Sequence, residues 1–300
     1  MRIDRVAYLF TGQGSQYVGM GKDLYEAFPE SRAVFEKADS ILGFSLAKLC
    51  FDGPQEELTQ TQNCQPAVLT MSIAAWEAFN SVAGRRPPAA GYLAGLSLGE
   101  YSALVAAGAM ALEDAVCLVR KRGWFMEEEA KAYPGAMASI LGLDLARVKN
   151  ICQETKTEVA NINCPGQIVI SGGKLEIEKA ERLAEELGAK RVILLEVSGA
   201  FHSSFMQGAS LKLSKELDKI KIHKPQLPVV SNVTAKPVIN PEEIKANLIK
   251  QVSSSVYWED SMRFMLSEGV NRFFEFGPGN VLKGVMRRID ENAQVINIEK

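Results

Sequence analysis

The 300-residue sequence is short of histidine, holding only His202 and His223, and it has no CxxC pair among its five cysteines. Zinc-ligand spacing is therefore absent. Cys50, Cys64, Cys117, Cys152 and Cys164 read as reduced thiols of a cytoplasmic protein, because an odd number does not make a closed disulfide framework. An excess of charge of one sign is missing too. The formal net charge is only -2, which supplies no whole-molecule basic field for nucleic acid. No apolar run is long enough for a membrane span. The N-terminal MRIDRVAYLFTGQG is broken by glycines, and residues 103–111 are short and rich in Ala and Gly. No internal repeat or low-complexity tract occurs. What is present is the ordinary stuff of a globular protein, 47% apolar and 23% charged residues, enough to bury a sizeable core without staples.

The chain alternates strands and helices. Residues 5–10 read as a buried strand that ends in the turn 11–14. Residues 25–49 carry helical spacing, and 66–79 form a strongly apolar helix with Pro66 near its start. A turn at 85–89, a short strand at 92–95, a small-residue helix at 98–107 and a long helix at 113–130 follow. The pattern then changes. Strand 136–141, helix 144–154, strands 159–163 and 167–171, helix 174–187 and strand 191–197 give the β-α-β-β-α-β order of a ferredoxin-like unit. This predicts a small subdomain at 125–197 inserted in a larger α/β domain made of 1–124 and 198–300. In the last part, helices are expected at 211–220, 242–251, 260–268 and 281–290, with strands at 227–233 and 270–276.

Gly95-Leu96-Ser97-Leu98-Gly99 matches the G-x-S-x-G pattern of a nucleophile on a sharp strand-to-helix turn. Glycines two residues to either side relieve crowding, and the helix N-terminus favours a developing oxyanion. The plainer alternative is a serine N-cap between packing glycines. A serine hydroxyl needs a base, and histidine is the usual one. His223 sits in a charged approach to a strand and reads as solvated. His202 sits in the small-residue turn Ser198-Gly199-Ala200-Phe201-His202 after a strand, where catalytic groups of α/β folds collect. His202 is therefore the candidate base. No acid in a comparable strand-end turn follows it, so a backbone or amide carbonyl is left to orient the ring.

Arg122 falls in the middle of the apolar stripe Ala115, Leu118, Val119, Phe125 and Met126 of its helix. A buried arginine needs an anion. Its planar fork suits a substrate carboxylate, and an internal salt bridge is an equal alternative. The turn Gly12-Gln13-Gly14 lets backbone approach a ligand, so an N–H there is a candidate second oxyanion donor beside that of Leu98. Taken alone it reads as an ordinary βα turn, and no phosphate-loop motif is present.

In order and spacing, GQGSQ at 12–16, GLSLGEYSALVAAG at 95–108, RKRGWFM at 120–126, NINCPGQIVISG at 161–172, GAFHSSFM at 199–206 and FEFGPGNVL at 274–282 resemble the malonyl-CoA:acyl carrier protein transacylases of bacterial fatty acid synthesis. The acyltransferase domains of polyketide synthases look similar. The resemblance covers essentially the whole chain. It implies an α/β-hydrolase-like large domain with an inserted ferredoxin-like small one, and acyl transfer with Ser97 as nucleophile and His202 as base. It also implies Arg122 on the malonyl carboxylate, the N–H groups of Gln13 and Leu98 as oxyanion hole, and the main-chain carbonyl of Gln251 orienting His202. Asn163 matches a family motif without a role assigned here, and Phe201 resembles a malonyl-type signature. Leu96 departs from the histidine usual before the nucleophile. The expected partners are malonyl-CoA and the phosphopantetheine thiol of an acidic carrier protein, with no cofactor or metal. Lys283, Arg287 and Arg288 on the last helix are the candidate dock, or else a solvated surface. Action as a cytoplasmic monomer is expected.

Overall fold

In a computed structural model the protein is described at residues 5–83 and 90–299. The predicted turn at 85–89 lies outside them. The chain runs β1 (Arg5–Phe10), α1 (Lys22–Ala27), α2 (Pro29–Leu42), α3 (Leu46–Asp52), α4 (Gln55–Thr59), α5 (Thr61–Val82), β2 (Ala90–Gly95), α6 (Gly99–Ala106) and α7 (Leu112–Ala132). It continues through β3 (Gly135–Leu141), α8 (Leu145–Thr155), β4 (Glu158–Cys164), β5 (Gln167–Gly173), α9 (Lys174–Glu186) and β6 (Arg191–Leu194). It closes with α10 (Gln207–Leu217), β7 (Val229–Val230), β8 (Pro237–Val238), α11 (Pro241–Gln251), β9 (Val256–Tyr257), α12 (Trp258–Ser267), β10 (Val270–Phe276), α13 (Val281–Ile289) and β11 (Gln294–Ile298).

The larger sheet has the order β11-β10-β1-β2-β7-β8. All its pairings are parallel except β7 with β8. The continuous apolar run of β1, buried from Val6 to Phe10, follows from helices covering both faces. On one face Tyr8, Phe10, Phe274 and Phe276 meet Trp76 and Phe79 of α5. The Phe10 and Phe276 rings stack at 5.4 Å, and Tyr8 meets Trp76 edge-on at 5.0 Å. The smaller sheet, β6-β3-β5-β4-β9, is the ferredoxin-like order extended by a parallel edge strand, β9, from far along the chain.

Four elements differ from the sequence expectations. Residues 25–49 break into three helices, because Pro29 starts a new one and Gly43, at φ 73°, ends it as a left-handed cap. Helix α5 begins at Thr61, so Pro66 lies inside it rather than at its start. The first turn is polar in sequence and still buried, because α7 approaches it closely: a Cβ on Gly123 would meet the Thr61 carbonyl at 2.6 Å. The strand expected over 191–197 stops at Leu194, and the one over 227–233 is only Val229–Val230.

Candidate active site

Ser97 sits between the end of β2 and the start of α6 with φ 52°, and His202 has φ 57°. Left-handed backbone at a non-glycine residue costs about 1–3 kcal/mol and persists where surrounding structure imposes it. The glycines of the elbow show that imposition. A Cβ on Gly95 would lie 1.9 Å from the carbonyl of Gly99, and one on Gly99 would lie 2.2 Å from the Phe10 carbonyl oxygen. Strand end and helix start are thus pressed together, and the hydroxyl is turned out of the elbow.

That hydroxyl meets the imidazole. Ser97 Oγ lies 2.8 Å from His202 Nε2, and His202 Nδ1 lies 2.8 Å from the main-chain oxygen of Gln251. A carbonyl only accepts, so Nδ1 carries the proton and Nε2 is free to accept the serine's. Burial, with the Arg122 charge adding to it, lowers the His202 pKa from 6.5 to about 4, so the ring is held neutral.

Arg122 is 1% exposed and reaches this pair from α7. Its Nη1 donates to Gln65 Oε1 at 2.9 Å, and its Nη2 donates to Gln251 Oε1 and to Ser97 Oγ, each at 3.2 Å. Its face lies over the Tyr101 ring, 5.4 Å from the centroid. Among the described residues no carboxylate makes a salt bridge with it, and Nε has no acceptor. The internal salt bridge weighed from the helical wheel is therefore not what holds it. Neutral amide oxygens fix the fork, and no carboxylate touches it among the described residues.

Beneath the pair lies a buried polar layer. Asn232 accepts the Ser97 N–H at 2.7 Å through Oδ1 and donates to the Gly95 carbonyl at 2.8 Å. Glu100, 3% exposed, accepts from the Asn232 N–H at 3.1 Å and from Gln251 Nε2 at 2.7 Å. Burial raises its pKa to about 7, against the opposing pull of those donors and of Arg122.

A cavity of about 120 Å³ opens over Ser97, lined by Gln13, Leu96, Arg122, Met126, Met137, Asn161, Leu195, Val197, Phe201 and His202 among others. Gln13 lines it, and its side chain reaches Thr61 Oγ1 at 3.5 Å. The Leu98 side chain is buried in the core, so only its N–H, at the start of α6, can serve this space. Neither the Gln13 nor the Leu98 N–H bonds to another group among the described residues. Asn161 lines the cavity, while Asn163 does not. Lys283, Arg287 and Arg288 are exposed on α13 and form no part of the lining.

A family model described as the acyl transferase domain matches residues 7–281. The malonyl CoA-acyl carrier protein transacylase of Bacillus subtilis (strain 168) is 48% identical, covering 99% of this chain and 94% of that protein. This chain belongs to the malonyl CoA-acyl carrier protein transacylase family. The Escherichia coli (strain K12) transacylase is 42% identical over 94% of this chain and 92% of its own length. Among solved structures, an acyl carrier protein S-malonyltransferase from Vibrio cholerae superposes with a TM-score of 0.95 at 38% identity, covering 99% of this chain and 97% of that one. A malonyl-transacylase in complex with a type II PKS acyl-carrier protein matches with a TM-score of 0.94 at 38% identity, over 99% of this chain and 96% of that one. The α/β-hydrolase-like and ferredoxin-like fold class is thus that of the transacylase family.

Four residues of this transacylase site were missed in the sequence reading. Gln65 lies in a helical turn ahead of the apolar run. Asn232 falls inside the strand expected over 227–233, whereas β7 ends at Val230 and leaves it in the turn beyond. Glu100 is an acid at the start of a small-residue helix, and Asn161 lies two residues before Asn163. The usable signal was GLSLGE itself, in which an acid follows the second elbow glycine and so points back under the turn.

Proposed function

We propose that this protein transfers a malonyl group from malonyl-CoA to the phosphopantetheine thiol of an acyl carrier protein, through an ester on Ser97. One observation carries the choice of acyl group. A buried guanidinium held only by neutral amides stands with Nη2 3.2 Å from the hydroxyl that takes the acyl chain. A free carboxylate at the far end of a short acyl group supplies the missing anion with two parallel hydrogen bonds.

The reaction runs in two halves. His202 Nε2 takes the Ser97 proton as Oγ attacks the thioester carbonyl. The N–H groups of Gln13 and Leu98 receive the oxyanion. As the tetrahedral intermediate collapses, the C–S bond breaks and His202 returns the proton to coenzyme A sulfur. The carrier's thiol then gives its proton to His202 and attacks the malonyl ester, and Ser97 leaves with that proton. The Gln251 carbonyl holds the ring in register and stabilises the imidazolium in both halves. No metal or cofactor enters these steps. The acyl group and the phosphopantetheine arm arrive with the substrates.

The site is complete within one chain, so the chemistry needs no second copy, and the protein is read as acting as a monomer. A division at 124/125 and 197/198 puts Ser97, Arg122, His202 and Gln251 on the larger unit, and Met126, Met137, Asn161, Leu195 and Val197 on the smaller. All five cysteines are free, which fits a cytoplasmic site of action. Among the described residues no helix is long and apolar enough to cross a membrane. The carrier docks on the face of Lys283 and Arg287, opposite charge to an acidic partner. The carrier belongs to fatty acid synthesis. The similarity to a transacylase caught with a polyketide carrier favours a type II polyketide carrier as the second acceptor.

The clamp is tested by Arg122→Ala. Malonyl transfer is expected to fall about a hundredfold while acetyl transfer is spared, since two charge-assisted hydrogen bonds are lost only by the substrate that has a carboxylate. Equal losses for malonyl-CoA and acetyl-CoA would remove the clamp.

A further inference from the structure

The carboxylate of Glu100 touches neither the cavity nor the Ser97 hydroxyl, yet the hydrogen bonds behind the site converge on it. Gln251 is the junction. Its main-chain oxygen faces His202, and its side-chain amide lies between Glu100 and Arg122. Nε2 donates to Glu100 at 2.7 Å, with Ser97 O at 3.0 Å and Asn232 Oδ1 at 3.4 Å on the same side. Oε1 is therefore left for Arg122 Nη2, at 3.2 Å. An amide has one donating and one accepting end. If it turned over, Nε2 would face a guanidinium that has only donors, and Oε1 would face the Glu100 oxygen that already accepts the Asn232 N–H. Both contacts would become repulsive in a layer where Gln251 is 0% and Glu100 3% exposed.

We propose that Glu100 is a positioning residue for acyl selectivity: it locks the orientation of the Gln251 amide, and that amide oxygen in turn aims the Arg122 fork at the substrate carboxylate. The inference rests on the reading of Arg122 as the carboxylate clamp. Two neutral amide oxygens, Gln65 Oε1 on Nη1 and Gln251 Oε1 on Nη2, set the plane of the guanidinium without neutralising it. A carboxylate placed directly on Arg122 would fix it as well but would occupy the substrate's place. Holding the acid one residue away, behind an amide, supplies rigidity and keeps the fork available. The same acid also accepts the N–H of Asn232, whose side chain holds the Ser97 N–H, so the elbow and the clamp share one anchor.

The test compares Ser97 acylation by malonyl-CoA and acetyl-CoA in the full chain. Glu100→Met keeps volume and removes the acceptor. Its malonyl-over-acetyl ratio of kcat/KM is expected to fall about tenfold, the scale of one hydrogen bond to a charged group. Gln251→Met removes the relay but keeps the main-chain carbonyl for His202, and it is expected to show the same fall even if Glu100→Met does not fold. The double variant is expected to lose no further selectivity, because both changes break one chain. A proportional loss of both acylations in both variants, or an additive loss of selectivity in the double variant, overturns the inference. Arg122→Ala separates the two levels. If it leaves the ratio unchanged, the clamp itself fails and the inference with it. If it abolishes the preference while the other variants keep it, only the role of Glu100 fails.

Discussion

An arginine taken out of water without an anion in contact costs several kcal/mol, and Arg122 is held in that state by glutamine oxygens. Two buried neighbours are shifted in opposite directions, although the Arg122 charge pulls the pKa of both down. Burial and the Arg122 charge hold His202 neutral, lowering its pKa from 6.5 to about 4. The unfolded chain takes up a proton at this histidine below 6.5 and the folded chain does not, so this group's stability contribution is lost as pH falls from 6.5 toward 4. Glu100 is shifted the other way, from 4.5 to about 7. In that window the folded chain keeps a proton the unfolded chain has released, so stability falls as pH rises. Glu100→Gln removes only the second slope. Stability of the variant relative to the parent is expected to rise by up to about 3 kcal/mol between about pH 5 and about pH 7, measured by urea midpoints. Parallel curves for the two proteins would contradict the buried acid. At this scale the sequence yielded the exposed logic of the site: a serine in its elbow, the one histidine in a strand-end turn, and an arginine on an apolar face. It hid Gln65 and Asn232, and marked Glu100 only as the acid after the second elbow glycine, because amides and acids that serve other polar groups carry no periodic signal.

At the scale of elements, the elbow is a close approach of strand and helix backbone, and its glycines are the points of contact. Gly95→Ala would push a methyl to 1.9 Å from the Gly99 carbonyl, where backbone and not a flexible side chain must yield. A loss of about 3 kcal/mol or more is expected, with acylation of Ser97 lost in parallel. Gly284 is the internal control. It lies within α13 with nothing within 4 Å of an added Cβ, so Gly284→Ala is expected to gain about 0.5–1 kcal/mol. Thermal or urea unfolding of both variants decides, and a neutral Gly95→Ala would contradict the elbow geometry. Long periodic elements were legible almost to the residue: β10 matches its predicted 270–276, and α9 covers 174–186 of the expected 174–187. Strands of two residues, such as β7, β8 and β9, were not legible as such, because hydrogen bonds to partners distant in sequence define them. The same holds for the first turn of α5, whose burial comes from the close approach of Gly123 and not from apolarity.

At the scale of the whole molecule, the β-α-β-β-α-β order announced the smaller sheet, but not that β9 from far along the chain completes its edge. Charge is also distributed at this scale. Arg288 donates to Gln167 at 2.9 Å and to the carbonyls of Pro165 and Gly166, tying α13 to the turn between β4 and β5. Among the described residues Lys283 and Arg287 have no such tie, which is why the proposed dock rests on them. Lys283→Glu with Arg287→Glu is expected to raise KM for the carrier protein, with an effect that fades in high salt, and to leave acylation by malonyl-CoA intact. If both half-reactions weaken together, α13 is not the dock. Both half-reactions pass through a covalent malonyl ester on one hydroxyl, and intact-protein mass spectrometry after mixing with malonyl-CoA reads it directly. The expected result is a single malonyl adduct located at Ser97, absent in Ser97→Ala and discharged by a holo carrier protein faster than by water. No adduct, an adduct that persists in Ser97→Ala, or one that water removes as fast as the carrier does would contradict it.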